Sequence, residues 1–130
     1  IKRLAGKLDR VLVDAPCSGL GTLRRNPDLK WRQTAESVAE LTVKQAAILQ
    51  AASVLVKKGG RLVYATCSLL NAENDAVVSA FLAANPEFVA LSAEEVLARQ
   101  DISLACGERL RLLPHSHGTD GFFAAVMERR

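Results

Sequence analysis

Apolar positions along this chain fall into short β-branched runs and longer stretches of helical spacing, and the two kinds alternate. Asp9 to Asp14 (DRVLVD) is a Val/Leu run that ends at Pro16, with the turn residues Ser18, Gly19 and Gly21 following, which predicts a buried strand. Thr22 to Gln33 is polar and basic. Its Asn26-Pro27-Asp28 is a turn signal, because proline fixes φ and Asx side chains bond their own backbone. From Ser37 to Val56 the positions Leu41, Ile48, Leu49, Ala52, Leu55 and Val56 recur at helical spacing. Lys57 and Lys58 suit the negative end of a helix, and Gly59-Gly60 reads as its stop. Arg61 to Thr66 (RLVYAT) predicts a second strand, so the segment is a βαβ unit with parallel strands and a right-handed crossover.

The pattern returns in weaker form. Asn71 can cap a helix whose Val77, Val78, Phe81 and Leu82 share a face and which breaks at Asn85-Pro86, and Phe88 to Leu91 is a third short strand. Ala93 to Arg99 reads as helix, Asp101 to Gly121 mainly as loop, and Phe122 to Met127 (FFAAVM) as a last strand. The expected architecture is an α/β layered domain with about four strands.

Composition narrows the function classes. The 130 residues, 49% apolar and 24% charged, are those of an ordinary globular domain. No apolar run approaches the ~18–20 residues of a membrane-spanning helix, and no signal peptide opens the chain, so a cytoplasmic protein is expected. The chain starts at Ile1 and enters a strand almost at once, which reads as a cut inside a longer polypeptide. Net charge is only +3, but the first 33 residues carry eight Lys/Arg against three Asp, so a polyanion would be met there. Three cysteines, Cys17, Cys67 and Cys106, are too few and too widely spaced for a disulfide framework, and reduced thiols are expected.

Ligands of open α/β sheets bind beyond the carboxyl ends of the strands. Asp14-Ala15-Pro16-Cys17-Ser18-Gly19 leaves the first strand and Ala65-Thr66-Cys67-Ser68 the second. If these strands are neighbours, about 4.8 Å apart, two thiols and the Asp14 carboxylate surround one small cleft. Residue types leave several chemistries open. A permanent disulfide is disfavoured in a reducing compartment. A zinc site drawn from Cys17, Cys67, Cys106, His115 and His117 lacks the usual closely spaced Cys pairs. A thiolate nucleophile and a pair of small buried residues that pack like alanine remain evenly matched.

The motifs Asp14-Ala-Pro-Cys17-Ser-Gly, Arg25-Asn-Pro-Asp-Leu-Lys-Trp31, Tyr64-Ala-Thr-Cys67-Ser and Thr119-Asp-Gly-Phe-Phe123 carry a resemblance. From about Leu8 to its end the chain resembles the Sun-type RNA cytosine-5 methyltransferases, and within them the bacterial ribosomal RNA small-subunit methyltransferase B group. That resemblance implies methylation of cytosine carbon 5 in RNA, with S-adenosylmethionine as methyl donor. It implies Cys67 as the nucleophile that adds to carbon 6, Cys17 as the thiol that assists release, and Asp14 as the acid between cofactor and target base. The target must be single-stranded or flipped out. Arg24, Arg25, Lys30 and Arg32 become candidate RNA contacts, with Trp31 either a stacking face or an anchor on the core. His115, His117 and Cys106 have no assigned role.

One part of the pattern is missing. Class-I methyltransferases hold the cofactor largely through a Gly-rich turn after their first strand, and Gly19-Leu20-Gly21 is followed by the basic stretch instead of a helix. The resemblance therefore implies the C-terminal half of a class-I, Rossmann-like catalytic domain over residues 1–130, mainly parallel, with an antiparallel last strand at the sheet edge. By itself such a segment is expected to bind S-adenosylmethionine weakly or not at all. The alternatives are a transfer RNA substrate, a non-catalytic RNA-binding fragment, and a DNA enzyme with Cys17 as nucleophile. For the last, Glu73-Asn74 offers a superficial Glu-Asn pair, expected on the following helix. Neither a metal nor a membrane is expected as partner.

Overall fold

A computed structural model describes residues 2–130. Strands β1 (Leu8–Asp14) and β2 (Val56–Thr66) pair in parallel, Val13 opposite Tyr64 and Asp14 opposite Ala65. The crossover between them contains a four-residue helix α1 (Leu29–Arg32) and the long helix α2 (Ala35–Ser53). Thr34 starts α2 with a capping box, its side chain accepting from the Ser37 backbone while Ser37 accepts from that of Thr34. The expected βαβ unit is present, but its helix stops at Ser53, so that Val56, Lys57 and Lys58 belong to β2 instead of the helix end. Gly59-Gly60 does not stop the helix but lies inside β2, where the register steps from Leu8 opposite Val56 to Arg10 opposite Arg61. Gly59 has φ of 76°, and a Cβ on Gly60 would sit 2.8 Å from the Lys57 carbonyl oxygen. A glycine pair signals a helix cap and a bulge alike.

The chain continues through α3 (Asp75–Ala84), β3 (Phe88–Leu91), α4 (Ala93–Ala98), β4 (Leu110–Leu112), α5 (Pro114–His117) and β5 (Phe122–Arg129). The sheet runs β1-β2-β5-β3, and β4 pairs with β5. All of β5's pairings are antiparallel. The last strand is thus antiparallel as expected, but it is central, inserted between β2 and β3, instead of at the edge. Its residues Phe123 to Met127 are all buried, the mark of a strand covered on both faces. Strand β4, inside the expected loop, has only three residues, too few for a periodic signal.

Leu62 and Tyr64 of β2, Phe123, Ala125 and Met127 of β5, and Val13 of β1 pack with Leu49 of α2 and Val77, Val78 and Phe81 of α3 in one core. Tyr64 and Phe123 meet edge to face, ring centroids 6.4 Å apart. Ile48, expected on the buried face of α2, is 40% exposed, whereas Gln45 is fully buried. On the other side of the sheet, Val63, Ala124 and Val126 lie against Ala93, Val96 and Leu97 of α4. On β1, the end strand of the sheet, Leu12 is 68% exposed. Among the described residues no helix is long and apolar enough to cross a membrane.

Candidate active site

Because β1 and β2 are parallel and in register, their loops leave the sheet side by side, and the Ala15 N–H donates to the Ala65 carbonyl at 2.9 Å. This brings the sulfurs of Cys17 and Cys67 to 3.3 Å, in hydrogen-bond contact and not bonded. Burial, and then the hydrogen bond with Cys67, pushes the Cys17 thiol up to about 12. Cys17 is therefore a thiol at neutral pH, able to donate to its neighbour. Asp14 ends β1 with an exposed carboxylate that has no ion pair among the described residues.

Three chain segments are stapled beneath the pair. The Gly21 N–H donates to the Cys67 carbonyl at 2.8 Å, and the Gly121 N–H donates to the Gly21 carbonyl at 2.7 Å. Next to Gly121, Asp120 accepts from Arg24 Nε and Arg25 Nε, both at 2.7 Å, and Arg24 also donates to the Gly118 carbonyl at 3.0 Å. Hydrogen bonds from Arg25 and Arg24 hold the Asp120 carboxyl below its ordinary value, and Asp120 in turn raises Arg25. Arg24 and Arg25, expected as RNA contacts, are thus internal ties, with side chains about half exposed. Replacing Asp120 with asparagine is expected to free both side chains and speed tryptic cleavage after Arg24 or Arg25 several-fold. Unchanged cleavage in a timed digest would show that Asp120 does not restrain this loop.

The other basic residues sit on α1. Trp31 is 79% exposed, so it does not anchor the segment on the core. Lys30 Nζ lies 4.9 Å from its ring centroid, and Arg32 pairs with Asp28 at 2.9 Å. Gln33 Nε2 donates to the Ser18 carbonyl at 3.0 Å, which fixes this helix to the Cys17 loop. His115 and His117 are exposed on α5, where His117 Nδ1 accepts from the Leu113 N–H at 3.0 Å. Among the described residues no three His, Cys, Asp or Glu side chains gather as a set of metal ligands.

Glu73 and Asn74 are not on the following helix. They form the turn before α3 and are buried, Glu73 completely. Thr66 Oγ1 donates to Asn74 Oδ1 and Asn74 Nδ2 donates to the Ser68 carbonyl at 2.9 Å, which brackets Cys67 from both sides. The available sequence signal is the repeated Cys-Ser dipeptide, Cys17-Ser18 and Cys67-Ser68, whose two serines both reach Glu73. Gly21 stood among the turn residues and Asp120 in the Thr119-Asp-Gly-Phe-Phe123 motif, but nothing in the local pattern joined either of them to the thiols.

For S-adenosylmethionine the residues present fit in part. Asp14 offers a free acceptor at a strand end, the usual ligand position. Neither loop that follows a parallel strand here is a glycine-rich turn into a helix: β1 leads to Pro16-Cys17 and β2 to Cys67-Ser68.

A family model described as 16S rRNA methyltransferase RsmB/F matches residues 1–128. The chain is 45% identical over 125 residues to a probable ribosomal RNA small subunit methyltransferase B of Bacillus subtilis, covering 95% of this chain and 28% of that protein. It is 43% identical over 123 residues to a ribosomal RNA small subunit methyltransferase B of Serratia proteamaculans, covering 93% of this chain and 26% of that protein. The chain thus spans little more than a quarter of the length of these curated relatives. The crystal structure of PH0851 superposes with a TM-score of 0.85 at 37% identity, over 96% of this chain and 27% of that one. NSun6 from Pyrococcus horikoshii, solved with SFG, superposes with a TM-score of 0.69 at 27% identity, over 91% of this chain and 29% of that one.

Proposed function

Because the chain belongs to the RsmB/F family of 16S rRNA methyltransferases, we propose that it supplies the thiol-bearing part of an enzyme that methylates carbon 5 of cytosine in small-subunit ribosomal RNA. The observation that carries this reading is the 3.3 Å contact between Cys17 and Cys67 at the carboxyl ends of adjacent parallel strands.

In this reading Cys67 is the nucleophile. Its thiolate adds to carbon 6 of the flipped-out cytosine, and the carbon 5–carbon 6 electron pair moves onto carbon 5, which becomes nucleophilic. S-adenosylmethionine, when bound, supplies the methyl group; that NSun6 was solved with SFG, an analogue of it, supports the assignment. The carbon 5 proton passes to water and the Cys67 sulfur departs with its bonding pair, which restores the ring. Cys17, held as a thiol beside that sulfur, donates to it as the sulfur–carbon bond breaks. Asp14 is the cofactor-side acid, and its free carboxylate can also accept from the cytosine amino group.

Residues 1–130 then form the second part of a longer catalytic domain: β1 is the end strand of the described sheet, where further strands would pair, and the exposed Leu12 is a patch on its face for them to cover. RNA reaches the cleft past Arg24, Arg25, Lys30 and Arg32. The exposure of Trp31 supports its use as a stacking face, and Trp31→Ala is expected to weaken RNA binding by about 1–3 kcal/mol while Trp31→Phe retains most of it. Filter binding at one fixed salt concentration measures both variants, and equal affinities for alanine and wild type would remove Trp31 from the interface. The function itself is tested with the full-length protein, labelled methyl donor, and ribosomal and transfer RNA. Label on cytosine of small-subunit ribosomal RNA is expected; label on transfer RNA only would move the substrate, and no transfer to either would leave an RNA-binding segment without activity.

A further inference from the structure

We propose that Glu73 is a positioning residue that sets the two cysteines against each other by gripping both of their loops through one buried carboxylate. This rests on the reading of Cys67 as nucleophile and Cys17 as its partner in release.

The geometry is specific. Glu73 Oε1 accepts from the Ser18 backbone N–H at 2.7 Å and from Gln45 Nε2 at 3.2 Å. Its Oε2 accepts from Ser18 Oγ at 2.7 Å and from Ser68 Oγ. Ser18 follows Cys17 and Ser68 follows Cys67, so one side chain holds the residue after each thiol. Gln45 Nε2 also donates to the Pro16 carbonyl at 2.9 Å, which holds the residue before Cys17. Glu73 is itself fixed, because the Tyr64 hydroxyl donates to its backbone carbonyl at 2.6 Å. A fully buried carboxylate is costly unless its acceptor sites are filled, and here four donors fill them. The two serine hydroxyls lie 3.4 Å apart on one oxygen, so neither loop can shift without breaking a bond to it. A thiol displaced by about 1 Å from its working geometry can cost on the order of 10²-fold in rate.

Alanine and glutamine variants separate this role from a plain contribution to stability. Glutamine keeps one oxygen for the two amide donors, and its NH₂ offers a proton to each serine hydroxyl, which can turn to accept. The readout is the pairing of the thiols themselves. In the full-length protein, with every cysteine other than Cys17 and Cys67 replaced by serine, equilibration with glutathione disulfide oxidises the two thiols to one protein disulfide and reduces the reagent to two glutathione thiols. The equilibrium constant reports how closely the fold holds the sulfurs together. Glu73→Ala is expected to lower it by about tenfold or more, Glu73→Gln to recover most of that loss, and Phe88→Leu, a distant core truncation, to leave it alone despite lowering stability. A Glu73→Ala value within twofold of wild type, or an equal fall in Phe88→Leu, would overturn the proposal. Should Glu73→Ala not fold, Ser68→Ala removes one arm of the grip and must give a smaller fall in the same direction; no fall would equally overturn it. Because no methylation is measured, this result stands apart from the outcome of Cys67→Ala: full activity in that variant would remove the nucleophile assignment and leave the thiol equilibrium as it is.

Discussion

Cys67→Ala in the full-length protein is expected to lower methyl transfer by about 10³-fold or more, whereas Cys17→Ala is expected to trap a covalent protein–RNA adduct. The difference follows from the environments of the two sulfurs. On the proposed roles, losing Cys67 removes the sulfur that adds to carbon 6, and carbon 5 of an unactivated cytosine does not attack the methyl donor at a useful rate. On the same roles, losing Cys17 leaves the addition possible but takes away the thiol, 3.3 Å from the Cys67 sulfur, that is proposed to donate to it as it departs. The sign of the shift at Cys17 matters. Its pKa is raised, so the proton stays on sulfur throughout the neutral range and is lost only in strong alkali; the donor is thus present at any working pH. The check is a denaturing gel of protein incubated with RNA and methyl donor, run beside a filter assay of label. A slow-migrating band in Cys17→Ala and none in Cys67→Ala is the expected pattern. If Cys17→Ala gives no adduct under turnover, the division of labour fails; if Cys17→Ala is dead and Cys67→Ala active, Cys17 is the nucleophile.

Gly21→Ala should be the most damaging change outside the thiols, because backbone surrounds the place its methyl would occupy. A Cβ there would meet the Gly121 carbonyl oxygen at 2.4 Å and the Cys67 carbonyl oxygen at 2.6 Å. Neither neighbour is a flexible side chain that could turn away. Both atoms belong to segments that Gly21 joins by hydrogen bonds, so the added methyl forces apart the contact that holds Cys67 in place. A cost of about 3 kcal/mol is expected, from overpacking together with the strained hydrogen bonds, with methyl transfer falling further than stability does. Urea unfolding midpoints compared with activity at low denaturant provide the measurement. A variant as stable and as active as wild type would mean that the three segments are not locked at Gly21.

Much of this site was legible in one dimension because its parts are local. A Val/Leu run that ends at Pro16 and a second that ends at Cys67 announce their own strand ends, and a βαβ connection leaves little choice about how such strands pair. Other parts were legible only as candidates. Arg24 and Arg25 read as free basic residues, yet their common partner Asp120 lies about 95 residues away in the chain. Trp31 fits an anchored and an exposed position equally well until the packing is known. Glu73 reads as a residue of the helix expected after Asn71, because nothing local shows that the chain holds it in a buried turn before Asp75.

By itself, then, the sequence determined which chemistry was available and on which strand ends it sat: two thiols and an acid, each placed by periodicity and turn residues within a few positions of itself. The tertiary structure alone decided that β5 enters the middle of the sheet, that Gly59-Gly60 is a bulge, and that a buried carboxylate joins the two thiol loops. The physical reason is common to all of these. Each is a choice between partners far apart in the chain, and burial and hydrogen bonding across that distance leave no trace in the local pattern of polar and apolar residues.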